Sequence, residues 1–288
     1  DKVGVFVIDP NADGHTGRTI GITMRHAENN LYYCCILTAL QMQLVKESCL
    51  IRLFRCQKKT ERTSIFFQIN DFPGLRRSIE NQEIQGLIHL DDFTLSSLNF
   101  IRHKKLPLVF VGNLGGIAPN GVFYDQERTI CEIGVRLKQE NPQHPALVCQ
   151  PSLFKCVQNH FYEAFGNDKK IYKGSRVQEA EKIADEILCM PDKKRHDWII
   201  YMDDIMALAI TSKLAISLPP EKLPRAVIIR NLQFQMRYPV RNPIFFDNNL
   251  NEFATIGVSL LMNAMKDGKL DAGKVLYHQR EDIVDFPD

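Results

Sequence analysis

The residues best placed to bind a ligand are polar side chains that come directly after short apolar runs. Asp203 and Asp204 are adjacent carboxylates between the apolar run 198–202 and an amphipathic segment that begins at Ile205. An apolar strand that ends in acids and passes directly into a helix is typical of the strand-to-helix corners of an α/β sheet. Such carboxylates can accept hydrogen bonds from the free N–H groups of the helix, or contact a ligand at the carboxyl ends of parallel strands. The sequence leaves both uses open.

Further candidate ligand-binding residues occupy similar positions elsewhere. Three acids and one arginine stand at the ends of apolar runs: Asp9, Asp125, Arg230 and Asp247. Lys155 lies early in a helix predicted over 152–165. The alternative for Arg230 is a surface ion pair, which contributes little to stability. For Asp247 the alternative is a hinge role.

Two adjacent tyrosines, Tyr32 and Tyr33, open the long apolar segment 31–47, which contains no Gly or Pro and is predicted to be a buried helix. Aromatic faces suit sugars and bases because they bury apolar area with a defined geometry. Packing of one or both rings in the core is the competing interpretation.

The sequence carries no recognisable catalytic motif. The eight histidines form neither H-x-x-x-H nor H-E-x-x-H, and no G-x-S-x-G is present. The stretch 112–116, G-N-L-G-G, lacks the spacing of a dinucleotide-binding loop and is interpreted as a turn. The acid pairs at 91–92 and 203–204 fall at different corners. We therefore expect no enzymatic activity, no metal and no cofactor.

Composition places the chain among soluble globular proteins. It has 288 residues, 44% of them hydrophobic and 24% charged, with a net charge of +2. This charge is too small to predict a nucleic-acid surface, and no run of 18 apolar residues predicts a membrane span. The start of the chain has the pattern of a strand rather than of a signal peptide. The eight cysteines form no C-x-x-C, which favours reduced thiols and a cytoplasmic location.

Apolar strands alternate with helices along the whole chain, which predicts parallel sheets. About nine or ten strands fit two α/β lobes better than one sheet. The first strand is predicted at 3–8, and 20–24 is an apolar patch of unassigned structure. The other predicted strands are 50–54, 86–90, 106–111, 146–149, 171–172, 198–202, 226–229 and 274–277, with a short extended piece at 122–124 and a short apolar run at 244–246.

Four stretches resemble motifs of the lac-repressor family of bacterial transcription regulators. Asn30-Leu-Tyr-Tyr resembles the family's N-P-F-F, and 85–90 resembles its D-G-L-I strand. The stretch 141–148 resembles its G-H-x-x-I-A strand entry, and 203–209, D-D-I-M-A-L-A, resembles its N-D-x-M-A-L-G. The resemblance spans nearly the whole chain and concerns the effector-binding domain of these regulators.

The resemblance implies a type I periplasmic-binding-protein fold of two lobes joined by three crossovers. Residues 1–143 with 247–273 would form one lobe, and 144–246 with 274–288 the other, with the ligand in a cleft between them. A small-molecule effector, a carbohydrate or derivative, would favour a closed arrangement in a homodimer. Operator DNA would be bound only through a head of about sixty residues that would precede Val3 and is absent from this chain, and no membrane would be involved.

Several positions depart from the family pattern. Val157 stands where sugar-binding members carry an arginine, with Lys155 nearby, and Asp203 replaces their asparagine. Arg230 replaces an acid. The positive charges of Lys155 and Arg230 favour an anionic effector such as a sugar acid, whereas the negative charge of Asp203 opposes it. The connection from the first strand to the helix at 31 is also longer than in the family.

Three alternatives remain open at this point: a periplasmic solute receptor of a transporter, an α/β enzyme, and a lobe that has lost its ligand and serves only dimerisation.

Overall fold

The computed structural model describes residues 17–24, 31–56, 66–112, 120–231, 236–270 and 273–282. The chain divides into two compact units, each an α/β sandwich around a six-stranded sheet. Unit 1 comprises Asp1–Tyr124 and Leu250–Tyr277, and unit 2 comprises Asp125–Asn249 and His278–Asp288. No helix in the described ranges is both long enough and apolar enough to cross a membrane.

The described elements are fourteen strands and eight α-helices. The strands are β1 (Thr19–Met24), β2 (Leu50–Arg55), β3 (Phe66–Phe67), β4 (Gly86–His89), β5 (Asp92–Phe93), β6 (Leu108–Gly112), β7 (Gly121–Tyr124), β8 (Ala146–Cys149), β9 (Lys170–Lys173), β10 (Trp198–Tyr201), β11 (Arg225–Arg230), β12 (Ile244–Asp247), β13 (Lys274–Tyr277) and β14 (Arg280–Asp282). The helices are α1 (Leu31–Lys46), α2 (Leu75–Glu80), α3 (Leu95–His103), α4 (Gln126–Lys138), α5 (Phe154–Phe165), α6 (Val177–Leu188), α7 (Asp204–Ser217) and α8 (Leu250–Asp267).

The sheet of unit 1 has the order β13-β7-β6-β4-β1-β2 and is parallel throughout. Its strands are apolar on both faces because helices cover both. On one face α1 and α8 bury residues such as Ile36 and Leu261 against Ile22. On the other face the core includes Leu75 and Ile101, from α2 and α3. The carboxyl ends of all six strands therefore lie at the same end of the sheet.

The sheet of unit 2 has the order β14-β12-β11-β10-β8-β9, in which only β14 is antiparallel to its neighbour. The helices α6 and α7 cover one face, where Ile183 and Ile210 share a core with Tyr201. The helices α4 and α5 cover the other face, where Ile133 and Phe161 lie in one cluster. This is the parallel-sheet α/β class that the sequence predicts.

The structure corrects the prediction for the strand that precedes α1. That strand is Thr19–Met24, which lies between β4 and β2 in the sheet, whereas the sequence left this stretch unassigned and predicted a strand at 3–8. The segment 3–8 lies outside the described residues. Only 25–30 separate β1 from α1, so the described strand that leads into α1 is joined to it by a short connection.

The boundary between the units also differs from the predicted one at residue 143. Unit 2 begins at Asp125, so that α4 belongs to it. The physical reason is the apolar face of α4: Ile130, Ile133 and Leu137 are fully buried in the cluster that contains Phe161 of α5. The apolar residues of a helix do not by themselves indicate which sheet buries them.

Gly121, the first residue of β7, is required by its surroundings. Its φ is +147°, and a Cβ atom placed there would lie 2.1 Å from the carbonyl oxygen of Phe110. That oxygen belongs to the neighbouring strand β6 and cannot move without breaking the sheet.

We expect Gly121→Ala to lower the free energy of unfolding by at least about 3 kcal/mol, because overpacking is added to backbone strain. Gly74→Ala is the matched control, since Gly74 has φ +77° with open space around its Cβ position. It should cost only about 1–2 kcal/mol. Urea titration followed by circular dichroism measures both, and equal losses would contradict the steric argument.

Candidate functional site

In unit 1, aromatic and acidic side chains meet at the carboxyl ends of the strands. The first turn of α1 carries Tyr32 and Tyr33, and Asp91 follows the end of β4. The Tyr33 hydroxyl donates to Oδ1 of Asp91 over 2.8 Å, and both residues are buried. Tyr33 is therefore held by a charge-assisted hydrogen bond rather than turned outward. The burial of Tyr33 therefore supports packing of its ring in the core.

Tyr32 is only partly buried and lies beside the buried Tyr124, the last residue of β7. The two hydroxyl oxygens are 3.4 Å apart, and the Tyr32 ring meets the Tyr33 ring edge-on at 5.8 Å. Burial raises the pKa of Tyr32 to about 12; the hydrogen bond with Tyr124 opposes this shift, and the charge of Asp91 adds to it. Tyr32 is thus a neutral phenol that can donate a hydrogen bond and offer part of its ring to a ligand.

The helix α8 completes this aromatic group. The Tyr124 ring stacks on Phe253 at 4.2 Å with an angle of 9° between the planes. The Tyr277 hydroxyl, at the end of β13, donates to Oε2 of Glu252 over 2.9 Å. These contacts fix Tyr124 and so the surface beside Tyr32. We call Tyr32, Tyr33, Asp91 and Tyr124 the tyrosine–aspartate group.

Next to this group lies a buried acid that the sequence did not single out as a ligand residue. Asp92 is 2% exposed, and its Oδ2 has no hydrogen-bond partner within the described ranges. Burial raises the pKa of Asp92 to about 6, and the charge of Asp91 adds to the shift. The adjacent His89 stacks on Phe93 at 3.7 Å and shares a hydrogen bond of 2.6 Å with Thr23. An acid pair directly after an apolar strand was the sequence signal that could have identified Asp91.

In unit 2, Asp203 both caps a helix and stays accessible. It is the N-cap of α7, where its Oδ1 accepts from the backbone N–H of Met206 over 2.9 Å. Its other oxygen accepts from the Gln150 side chain over 3.2 Å. Asp203 is partly exposed, and each carboxylate oxygen has the capacity to accept a further hydrogen bond. Asp204, by contrast, is buried and accepts from the Asn231 backbone N–H over 2.9 Å, which makes it a structural acid.

Arg230 and Asp247 come together but bind each other. They are register partners on β11 and β12, and the guanidinium donates to both carboxylate oxygens, with Nη2 to Oδ2 at 2.6 Å. The guanidinium also lies 4.3 Å from the centre of the Phe245 ring. A two-bond arginine–carboxylate pair is specific in geometry and neutral in charge. Of the two alternatives for Arg230, the structure therefore places it in an ion pair, although in a partly buried one.

Three side-chain amides continue this polar layer, and the sequence gave no signal for them as a set. Asn248 donates to Asn231, and Gln279 donates to Asn248. Gln279 is fully buried and its Oε1 has no hydrogen-bond partner in the part of the chain that is described. Asn231 and Asn248 follow β11 and β12, whereas Gln279 precedes β14. These amides are linked to one another at the ends of the strands that carry the Arg230–Asp247 pair.

The remaining predicted residues have simpler roles. Asp125 is the N-cap of α4 and accepts from the Arg128 backbone N–H over 3.1 Å. Lys155 is exposed in the first turn of α5. Val157, aligned with the family's arginine, is fully buried in the core, so this position cannot present a side chain to a ligand. Asp9 lies outside the described residues. Across the ranges that the structure covers, no three His, Cys, Asp or Glu side chains converge as metal ligands do.

Comparison with solved structures identifies the fold. No family model and no curated protein sequence matches the chain. A LacI-family regulatory protein from Chloroflexus aggregans superposes with a TM-score of 0.73 at 13% identity, over 92% of this chain and 96% of that one. A putative LacI transcriptional regulator from Bacillus cereus subsp. cytotoxis gives 0.71 at 13% identity, with the same coverage. The chain has the fold of the LacI-family regulators.

A third LacI-family regulator, from Arthrobacter, was solved in complex with lactose and superposes with a TM-score of 0.70 at 13% identity, over 92% of this chain and 97% of that one. The resemblance that the four sequence motifs carry is thus confirmed at the level of the fold. In open α/β sheets generally, ligands bind at the carboxyl ends of the parallel strands.

The raised pKa of Asp92 predicts a stability effect with a definite sign. The Asp92 carboxyl has a pKa of about 6 in the folded state, against an ordinary value of 3.8. Its contribution to stability is therefore fully present below about pH 4 and is lost as the pH rises through 6. We expect Asp92→Asn to raise the free energy of unfolding by about 2 kcal/mol at pH 7.5, with no gain near pH 3.5.

Denaturant titrations at the two pH values measure this difference. Asp168→Asn is the control, because the Asp168 side chain is 78% exposed. A gain for Asp92→Asn that is the same at both pH values would contradict the burial of an ionised carboxylate.

Proposed function

We propose that this chain is the ligand-sensing, effector-binding part of a bacterial transcription regulator. The observation that carries the proposal is the fold, which matches LacI-family regulators over 92% of the chain. A small molecule would contact the carboxyl ends of the strands in both units and favour one arrangement of the units over another. In a dimer this population shift would alter the affinity of attached DNA-binding domains for an operator. Such a regulator acts in the cytoplasm.

The groups that remain accessible favour a neutral carbohydrate or carbohydrate derivative as the effector. Tyr32 offers an aromatic face, and the Asp203 carboxylate can accept hydrogen bonds from sugar hydroxyls. The side-chain amides near β11 and β12 supply further donors and acceptors. Arg230, the residue that made a sugar acid attractive, is already neutralised by Asp247 through two hydrogen bonds. A ligand carboxylate would first have to displace Asp247.

A screen of neutral sugars, sugar acids and sugar phosphates by thermal shift tests this proposal. We expect a neutral sugar to raise the melting temperature, because a ligand that binds only the folded state stabilises it. Asp203→Asn should weaken this sugar about tenfold, since a charged hydrogen-bond acceptor is worth more than a neutral one. Asparagine is as good an N-cap as aspartate, so the ligand-free melting temperature should change little.

Arg230→Gln is the companion variant. Preferential stabilisation by a sugar acid, lost in Arg230→Gln and kept in Asp203→Asn, would reject the neutral carbohydrate. Absence of any ligand from a broad metabolite screen, with the dimer intact, would favour a lobe that serves only dimerisation.

Each unit carries a helix with outward-facing apolar residues. On α1 the residues Leu31, Met42 and Val45 are 45%, 49% and 48% exposed. On α7 the partly exposed Leu208 precedes Ile216, which is 87% exposed. Apolar residues all round a surface helix indicate that a further surface covers it. A second copy of this chain is the occupant we propose, because LacI-type neighbours include dimeric lac repressors.

We expect Ile216→Glu to convert a dimer into a monomer at micromolar concentration, because it places a charge in an apolar interface. Val135→Glu is the matched control, since Val135 is 65% exposed and lies on α4 rather than on α1 or α7. Sedimentation equilibrium measures the effect. The proposed dimer surface would be wrong if Ile216→Glu left the association constant unchanged, or if Val135→Glu reduced it equally.

A further inference from the structure

A cavity of about 610 Å³ lies in unit 1 at the amino ends of its strands, opposite to the tyrosine–aspartate group. Residues that precede three adjacent strands line it: Arg18 before β1, Gln85 before β4, and Lys105 and Pro107 before β6. The last turns of α8 and the residues after it close the other side. Because β4 and β6 run parallel to β1, their amino ends meet at this side of the sheet.

The close approach of α8 to the sheet explains why the cavity forms here. A Cβ atom on Gly86 would lie 2.9 Å from the Met265 sulfur and 3.1 Å from Leu261. The glycine thus lets α8 lie against β4, and the Met265 side chain reaches the start of the sheet. Beyond this contact α8 ends at Asp267, and the chain turns away. Met265 and Leu270 remain as an apolar wall facing Pro107.

Three basic side chains also line the cavity. They are Arg18, Lys105 and Lys269, and all three are exposed to solvent. Lys269 is paired with Asp267 at 3.1 Å. The Gln85 side chain is already engaged: its oxygen accepts from the Thr19 backbone N–H over 2.7 Å, and its nitrogen donates to Gln82 over 3.0 Å. Among the described residues that line the cavity, the charged side chains are all basic.

We propose that this cavity is a second small-molecule site, for an organic anion in which a phosphate or carboxylate is joined to an apolar body. The cations would bind the anionic group, and Pro107, Met265 and Leu270 would cover the apolar body. A volume of about 610 Å³ lies in the range of small-molecule sites, about 300–1,000 Å³. The site is separate from the proposed effector residues, because Tyr32 lies at the carboxyl ends of the strands of unit 1 and Asp203 belongs to unit 2.

Occupation of this site would act on the start of the sheet. Arg18 directly precedes β1, which is paired on both sides. An anion bound by Arg18 and Lys105 would tie the chain entering β1 to the turn after α3. The ligand would thus restrain the segment through which preceding residues join unit 1.

Titration calorimetry of the full chain with phenyl phosphate, benzoate, inorganic phosphate and benzyl alcohol tests the proposal. We expect phenyl phosphate or benzoate to bind saturably and more tightly than inorganic phosphate or benzyl alcohol, and the comparison of the first two identifies the anionic group. Binding should weaken between 50 mM and 500 mM NaCl, since exposed charges are screened. Failure of both organic anions to bind would overturn the proposal.

Lys105→Asn is the decisive variant. Lys105 has φ +53°, a left-handed conformation that asparagine tolerates better than lysine, so the variant should fold at least as stably. It should weaken the organic anion about two- to fivefold, the contribution of one exposed ion pair. Lys104→Gln is the control, because Lys104 is exposed beside it but does not line the cavity. An equal loss in both variants would reduce the binding to general surface charge and overturn the site.

Asp203→Asn separates this proposal from the proposed effector function. It should leave the affinity for phenyl phosphate unchanged, because Asp203 belongs to unit 2. Loss of phenyl phosphate binding in Asp203→Asn would assign the anion to the effector residues instead. Saturable binding that depends on Lys105 would stand even if no sugar binds the chain.

Discussion

Parallel pairing of strands is the constraint on which the rest of this structure depends. Because five neighbouring pairs in unit 1 and four in unit 2 run in the same direction, residues far apart in the chain end at one side of each sheet. This pairing joins Arg230 and Asp247 in unit 2, and it places Tyr124 and Asp91 at the same end of the sheet in unit 1. The same pairing gathers Arg18 and Lys105 at the opposite side of the sheet of unit 1.

The chemistry at the carboxyl ends differs between the units. Unit 1 presents phenols and buried acids, in which Tyr33 and Asp91 satisfy each other. Unit 2 presents a neutralised arginine–aspartate pair within a set of linked amides. Linked polar groups of this kind are costly to disturb one at a time. Ligand recognition would then depend on the partly exposed members, Tyr32 and Asp203, and on their held neighbours.

At Asp203 a helix cap coincides with the ligand contact that we propose. One carboxylate oxygen caps α7, and the other accepts from Gln150. The cap fixes the orientation of the carboxylate and so prepares it for a ligand at little further entropic cost. An asparagine at this position in the resembled family would keep the cap and lose the charge.

The sequence by itself determined the fold class and the strand-to-helix corners, because hydrophobic periodicity and capping residues are local signals. It therefore identified Asp203, Arg230 and Asp247 as strand-end residues, and the D-D-I-M-A-L-A corner as a family motif. Only the tertiary structure decided that Arg230 and Asp247 bind each other, since their pairing depends on strand register. It also decided that Thr19–Met24 is a strand of unit 1 that lies between β4 and β2, and that α4 packs on α5 in unit 2. Which sheet buries an apolar face, and which charge meets which, depends on contacts between distant segments that no local pattern encodes.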